Sequence, residues 1–174
     1  MEQMDNLALR LSQDLDRWFP DLVRALQHEL YSGLRSLAGS DAEDLAQETF
    51  VRAYRALGSY PQARVAEMAL RPWVWTIALN LGRNHLRTLS RRPRAVELEE
   101  HGQPDPEPID WADWEKRLRR LSAPIRKAVV LRHVAGLDYD EISVALARPV
   151  GTVKADVHRG LNRLRTMMEE ESDN

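Results

Sequence analysis

Residues 136–165 read GLDYDEISVALARPVGTVKADVHRGLNRLR, and this stretch decides the fold of the second half of the chain. Asp138 followed three residues later by Glu141 has the spacing of a capping box, and the glycine at the start suits the end of a preceding helix. Arg148 ends the helix that begins here, because a residue before a proline such as Pro149 is pushed out of the helical region. The stretch therefore predicts a short helix, a tight turn and a second helix.

The second helix is predicted to have one apolar and one polar face. Its apolar residues fall at offsets 0, 3, 7, 11 and 14, a stripe on a helix of period 3.6 that we expect to face the core. They are Val150, Val153, Val157, Leu161 and Leu164. The opposite face carries short or cationic side chains able to reach phosphates and base edges in a major groove. These are Thr152, Lys154, Ala155, Asp156, His158, Arg159 and Arg163.

Two interpretations of this helix pair follow from the spacing. One is a helix-turn-helix whose second helix reads DNA, and the other is a plain pair of packed helices with a solvated basic face. The residues themselves favour the first. Together with LSAPIRKAVVLRHVA before it, the stretch resembles the C-terminal promoter-reading domain of bacterial extracytoplasmic-function sigma factors, most specifically at residues 149–154.

The resemblance implies that the second helix reads the −35 promoter element from the major groove. The family usually has a Ser-Arg pair after the lysine, where this chain has Ala155 and Asp156. That difference places a carboxylate where a phosphate-facing cation is expected. A carboxylate can also accept a hydrogen bond from a cytosine amino group. The sequence therefore leaves open whether Asp156 reads a base or only avoids a phosphate.

Length, composition and the absence of cysteine restrict the class of protein. The 174 residues suffice for two small domains or one medium domain, and 43% hydrophobic residues can build real cores. No run approaches the roughly 20 apolar residues that span a bilayer, and MEQMDNLALR lacks the pattern of a signal peptide. We expect a cytoplasmic protein without membrane insertion. The absence of cysteine excludes disulfides and thiolate metal sites.

The net charge of −2 is an average over segments of opposite sign. Residues 64–94 hold 7 basic and 1 acidic side chains, and residues 113–165 hold 12 and 6, so each segment carries +6. Residues 95–112 hold 6 acidic side chains and no basic one. Both cationic blocks coincide with motif-bearing stretches, as expected for a nucleic-acid partner.

The first third of the chain is predicted to be helical. Apolar spacing predicts a weakly amphipathic helix over residues 5–19 that ends before Pro20, and a second helix over residues 21–37. Gly39-Ser40 breaks the pattern. Asp41 is then expected to cap the helix DAEDLAQETFVRAYRAL.

Residues 41–50 of that helix resemble the segment of the same family that docks on the clamp helices of the RNA polymerase β′ subunit. The implied polymerase-facing residues are Asp44, Gln47, Glu48 and Arg52. Judged by its composition alone, this segment is better explained as a solvated acidic helix surface. The resemblance also implies a contact with the β flap of the polymerase core.

Residues 58–61 read as a turn, residues 62–67 as a loop, and a long helix starts near Met68 or Pro72. Arginines beside two tryptophans suit the holding of a melted single strand, although tryptophan at this spacing is more often part of a core. We place Trp73 in the core and leave both roles open for Trp75.

Residues 73–80, WVWTIALN, are similar to the −10 recognition and strand-opening region of the family. There, the loop before the helix captures a flipped base and the helix supports the edge of the bubble. The implied DNA contacts are Tyr60, Arg64, Arg71, Trp75, Asn80, Arg83, Asn84 and Arg87. Asn84 stands where the family often has an aspartate.

Four prolines and a run of acids exclude a regular helix or a central strand between residues 92 and 110. We expect a flexible acidic linker at 93–110, between a region 2-like domain at 1–92 and a region 4-like domain at 111–170, with a tail at 171–174. The resemblance implies a linker that passes near the polymerase active-site channel. A generic tether explains the composition equally well.

The expected fold is all-α, with two small helical domains, the second containing the helix-turn-helix. The expected function is that of a sigma factor, which binds RNA polymerase core and promoter DNA and is held by an anti-sigma factor. The alternative is a helix-turn-helix regulator that acts without core docking. An enzyme is not expected, because the five histidines lack ligand spacing and no phosphate-binding loop or cysteine nucleophile is present. No metal and no cofactor are expected.

Overall fold

The computed structural model describes residues 2–91 and 111–172, and within these ranges the chain is helical and contains no strand. The linker predicted at 93–110 lies outside the described residues. The elements are α1 (Glu2–Gln13), α2 (Leu15–Ala38), a 3-10 turn (Gly39–Asp41), α3 (Ala42–Ser59), α4 (Gln62–Ala66), α5 (Leu70–Arg91), α6 (Trp111–Arg119), α7 (Ala123–His133), α8 (Tyr139–Leu146) and α9 (Val150–Ser172). The predicted all-α class is confirmed.

The break between the first two helices lies at Asp14, and the predicted break at Pro20 is wrong. The Asp14 side chain accepts a hydrogen bond from the backbone N–H of Arg17, which caps α2. Pro20 lies in the second turn of α2. Because Leu22 and Leu26 are buried from that turn onward, packing holds the helix together despite the hydrogen bond that proline removes.

The next connection also differs from the prediction. Residues 62–66, expected in a loop, form the short helix α4, whose Val65 is buried against the core. α4 packs on α1, and this packing favours a turn of helix over a loop. Asp41 takes the N-cap position of α3 as predicted, but its side chain does not accept a capping hydrogen bond.

Helices α1–α5 enclose the first core. Leu22, Leu30 and Leu34 of α2 are fully buried, as are Leu70 and Val74 of α5. α2 and α5 both pack against α3, and α1 covers α2. α3 and α5 are thereby held on one scaffold.

Helices α6–α9 surround a second, smaller core that contains Leu118, Val130 and Leu164. α9 passes so close to α7 at Gly160 that a Cβ there would overlap Val129 and lie 2.9 Å from Ile125 Cγ2.

α9 continues to Ser172, two residues beyond the end predicted for the second domain, whose bounds stay a prediction. Met167 is buried in the second core, and Glu171 accepts hydrogen bonds of 2.8 and 2.6 Å from the Arg117 guanidinium.

The two helical units pack directly on each other. α5 lies against α8, α2 lies against α7, and one continuous cluster of buried residues runs from Leu30 through Trp75 to Ala135 and Ile142. Gly33 of α2 lies at this contact, where a Cβ would be 3.5 Å from the Cβ of Ala135. This packing determines which predicted site residues are exposed.

Candidate nucleic-acid interface

The turn between α8 and α9 is fixed by local hydrogen bonds. The predicted capping box is present: Glu141 N donates to Asp138 Oδ1 at 2.8 Å, and Asp138 N donates to Glu141 Oε2 at 2.9 Å. α8 ends on Ala147, whose φ of 51° is left-handed. Ser143 Oγ donates to the carbonyl of Arg148 at 2.6 Å and holds the turn closed. α9 therefore leaves the turn in a defined direction.

The outer face of α9 carries the predicted basic surface. Lys154, His158, Arg159 and Arg163 are exposed, and Thr152 and Ala155 are partly exposed beside them. A helix face of this kind fits a major groove, where cations meet phosphates and base edges.

The predicted apolar stripe of α9 is wrong at Leu161, which is 37% exposed. Gly160 and Met167 are buried instead, together with Val157 and Leu164. The apolar face of α9 includes Gly160 because α7 packs against α9 at this residue.

The prediction that Asp156 lies on the exposed face is also wrong. Its side chain is 3% exposed, and the carboxylate binds two arginines. Oδ1 accepts a hydrogen bond of 2.5 Å from Arg159 Nη2, and Oδ2 forms an ion pair of 2.5 Å with Arg148 Nη1 that lacks the alignment of a hydrogen bond. A buried carboxylate needs such compensation, which explains its orientation.

Sequence reasoning missed two residues of this surface. Arg148 was read only as the end of a helix, yet its side chain is 30% exposed beside α9. Tyr139 lies under two cations: the Arg132 guanidinium is 4.9 Å and Lys154 Nζ is 5.5 Å from its ring centroid. A cation in the turn before α9 was the sequence feature that could have identified Arg148 as part of this surface. Nothing in the spacing points to Tyr139.

The residues predicted to contact the −10 element fall into three groups. The first lies at the start of α4, where the Arg64 guanidinium stacks 3.8 Å from the Tyr60 ring centroid. Tyr60 in turn meets Trp73 edge to face, with the ring centroids 6.2 Å apart. This arrangement offers a cation on an aromatic face, as unstacked bases require.

The second group lies in the middle of α5. Asn80, Arg83 and Asn84 are exposed there, and Arg83 Nη2 donates to Asn80 Oδ1 at 2.6 Å. The side chain of Arg87 lies outside the described residues.

The third group is Arg71 and Trp75, which lie beside Glu29 of α2. Trp75 is 1% exposed, and its Nε1 donates to Glu29 Oε1 at 3.2 Å, so in this arrangement it occupies the core position expected of Trp73. Trp73 is only partly buried. The spacing could not rank the two rings, because burial of Trp75 depends on packing against α2, where its ring lies beside Glu29 and Gly33.

Arg71 connects both units. It donates to Glu29 with three hydrogen bonds of 2.9 to 3.1 Å, to Glu141 Oε2 at 2.9 Å and to the carbonyl of Ala135 at 2.9 Å. Burial by itself lowers the pKa of Arg71, but the hydrogen bond to Glu29 and the charges of Glu29, Glu141 and Asp138 together raise it. Arg71 is therefore a permanent cation.

Two other cations on this side have no comparable compensation. Burial lowers the pKa of Lys127, and the charges of Arg83 and Arg126 lower it further. Burial, followed by the charge of Arg119, lowers the pKa of Arg126. Since Arg83 belongs to α5 and Lys127 to α7, like charges face each other across the contact between the units.

The predicted polymerase-facing residues lie on one side of α3. Asp44, Gln47 and Arg52 are exposed and Glu48 is partly exposed. Arg52 Nε donates to Glu48 Oε1 at 2.6 Å, which holds the charged side chains in a row. Val51 is exposed on the same face and adds an apolar contact point.

Within the described ranges, no group of three His, Cys, Asp or Glu side chains could hold a metal ion. No helix among the described residues is long and apolar enough to cross a bilayer.

A helical chain whose second unit presents a helix-turn-helix, and whose first carries a separate charged helix face, has the form of a DNA-binding transcription protein. Family models agree: Sigma-70 region 2 matches residues 22–92, and Sigma-70, region 4 matches residues 112–164. The chain is 30% identical to the RNA polymerase sigma-H factor of Pseudomonas aeruginosa, covering 91% of this chain and 90% of that protein. It is 31% identical to the ECF RNA polymerase sigma-E factor of Escherichia coli K12, over 91% of each.

The chain belongs to the extracytoplasmic-function sigma factors. It is thus a promoter-specificity subunit of RNA polymerase, and the alternative of a regulator independent of core docking is not favoured. Sigma factors are in general DNA-binding regulators and not enzymes.

Two solved structures show the same fold. CnrH in complex with the cytosolic domain of CnrY matches 95% of this chain with a TM-score of 0.73 and 25% identity. The sigma factor RpoE in complex with the anti-sigma factor NepR, from Bartonella quintana, matches 87% with a TM-score of 0.73 and 25% identity.

Proposed function

We propose the following division of roles. Residues 1–92 bind the polymerase core and open the −10 element, residues 111–170 read the −35 element, and residues 93–110 link them. The exposed basic face of α9 is the single observation that carries the proposal, because a packed helix pair needs no such surface.

The −35 contacts in this proposal are the exposed side chains of α9 together with Arg148. The −10 contacts are the Tyr60 and Arg64 pair and the exposed side chains in the middle of α5, which places an aromatic face and cations beside a displaced strand. The exposed face of α3 docks on the β′ clamp helices, and the second domain contacts the β flap. The protein acts in the cytoplasm, where the polymerase is.

Simultaneous reading of both elements requires the two domains to separate. Elements centred about 25 base pairs apart are roughly 85 Å apart at about 3.4 Å per base pair. Two touching domains of this size have centres only about 30 Å apart, since a radius of gyration near 12 Å is typical of about 90 residues. The 19 residues between α5 and α6 span at most about 65 Å, so chain length permits the separation.

The packed arrangement described above is then a closed form of the free chain. The solved structure of RpoE contains an anti-sigma factor. We infer that an anti-sigma protein also holds this chain inactive, and that it does so by stabilising the closed form.

Run-off transcription from a library of promoter fragments tests the proposal. Purified core polymerase is used with the wild-type chain, with Gln47→Ala/Arg52→Ala on α3, and with Arg163→Ala on α9. We expect new start sites with the wild-type chain, loss of core binding in the first variant, and normal core binding with weaker −35 dependence in the second. Start sites that are identical without the chain would contradict the assignment.

A further inference from the structure

One buried carboxylate organises the start of α9. Asp156 holds Arg159, one turn further along α9, and Arg148, in the turn before α9, on its two oxygens at 2.5 Å each. The carboxylate thereby ties the turn to the helix. Both arginines keep outward-facing surface, since their side chains are 58% and 30% exposed.

The charges explain why this position suits an acid. Two guanidinium groups placed side by side repel each other, and a carboxylate between them removes that repulsion while the group retains a net charge of +1. A guanidinium carries five N–H donors. Each arginine therefore uses part of its donors inward and has others left for a ligand.

Held in this way, an arginine is ready to read a base. A bidentate contact with guanine requires the guanidinium plane to meet O6 and N7 together. An arginine fixed by a buried partner loses less conformational freedom on binding than a mobile one. The same geometry makes direct base reading by Asp156 implausible on steric grounds, because the carboxylate is covered and both oxygens are engaged.

We propose that Asp156 is a positioning residue of the −35 reader, which orients Arg148 and Arg159 and so determines the base preference at the positions those two arginines contact. The inference rests on the proposed function of α9. Asp156 itself touches no base.

The test measures sequence preference rather than overall activity. Holoenzyme assembled with the full chain is assayed on promoters with a randomised −35 element, using the wild-type chain, Asp156→Asn, Arg148→Ala, Arg159→Ala and the double variant Asp156→Asn/Arg159→Ala. We expect Asp156→Asn to reduce the preference by about 3- to 10-fold at base pairs that the arginine variants also affect. At the position read by Arg159, the double variant should match Arg159→Ala alone.

A second measurement does not depend on promoters. Nitrogen-15 relaxation of the arginine Nε–H groups in the free chain should show a more mobile Arg159 in Asp156→Asn, with Arg163 unchanged as the exposed control on the same helix. If the wild-type chain directs no promoter-specific initiation, the proposed function fails, while this experiment still decides whether Asp156 positions Arg159.

Three outcomes would overturn the inference. A uniform loss on all promoters by Asp156→Asn would show that the residue supports folding only. A changed preference at a base pair that neither arginine variant affects would show direct reading by the carboxylate. Equal mobility of Arg159 in the wild-type chain and Asp156→Asn would show that nothing is being positioned.

Discussion

Replacing Arg71 by alanine should open the closed form. The Arg71 guanidinium links the first domain to α8 through Glu141 Oε2 and to the turn before α8 through the carbonyl of Ala135, each at 2.9 Å. Glu29, which lies in the same domain as Arg71, orients the guanidinium from the other side. The variant removes both of these Arg71 contacts at once and leaves the Arg35–Glu115 ion pair of 3.4 Å between α2 and α6 in place.

The size of the effect follows from those two contacts. A hydrogen bond to a charged group contributes about 1.5–3 kcal/mol to stability. The Arg71 side chain is 24% exposed, so water replaces part of what is lost, and we expect a net loss of about 2–3 kcal/mol for the pair. At 1.4 kcal/mol per factor of ten, the ratio of closed to open chains should fall by roughly 30- to 150-fold.

Energy transfer between two dyes, one on each domain, measures the opening. The chain has no cysteine, so Ser40→Cys on the first domain and Arg165→Cys on the second, both at exposed positions, provide unique labelling sites. Arg71→Ala should lower energy transfer and raise the radius of gyration, whereas Arg55→Ala, at an exposed arginine of α3, should change neither. Energy transfer in Arg71→Lys should fall between that of Arg71→Ala and that of the wild-type chain, because lysine keeps the positive charge but lacks the planar, forked guanidinium.

The reasoning fails if Arg71→Ala shows the same energy transfer as the wild-type chain and the Arg55→Ala control. The Arg35–Glu115 ion pair and the apolar contact of Gly33 with Ala135 would then hold the domains together without the Arg71 network.

Three further predictions concern stability. Gly160→Ala should destabilise the second domain by about 1–2 kcal/mol in denaturant unfolding, since overpacking on Val129 outweighs the gain in helix propensity, whereas Gly82→Ala, in open space on α5, should stabilise by about 0.5–1 kcal/mol. Ala147→Gly should stabilise by about 0.5–1 kcal/mol, because glycine adopts the left-handed φ without strain, and a lower melting temperature would refute this. The pKa of Lys127 is lower in the folded chain than its unfolded value of 10.5, so its positive charge opposes folding below the folded-state pKa. The stability of the wild-type chain should therefore rise as the pH increases from the folded-state pKa toward 10.5. Thermal melts across pH should show that Lys127→Met is more stable than the wild-type chain at pH 7 and lacks this rise.

Sequence reasoning succeeded where structure is determined locally. The capping box at Asp138 and the turn at Pro149 depend on a few neighbouring residues, and both lie where the spacing predicted. The helix-turn-helix and its outward basic face follow from them. The family resemblance supplied the function, which periodicity alone left open.

The errors have a common physical cause, which is tertiary contact that the spacing does not contain. Asp156 was expected to be exposed and is buried, because a carboxylate paired with arginines can be buried. Leu161 was expected to be buried and is exposed, because α7 meets α9 at Gly160. Pro20 is accommodated inside α2 for a related reason, since buried leucines outweigh one lost hydrogen bond. The covering of Trp75 depends on packing against α2, where its ring lies beside Gly33, and the sequence around Trp75 carries no information about that contact.

The position of Arg71 links closure to promoter opening. The family resemblance gives Arg71 to the −10 element, and the structure engages its guanidinium in the contact between the domains. Arg71 cannot serve both roles at once, so any contact it makes with a melted strand is available only to the open fraction of molecules. Apparent affinity is reduced by the fraction of competent molecules, and a chain that is 1% open binds about 100-fold more weakly through this residue than an open one. Polymerase core, by holding the two domains apart, would remove that penalty before the DNA is reached.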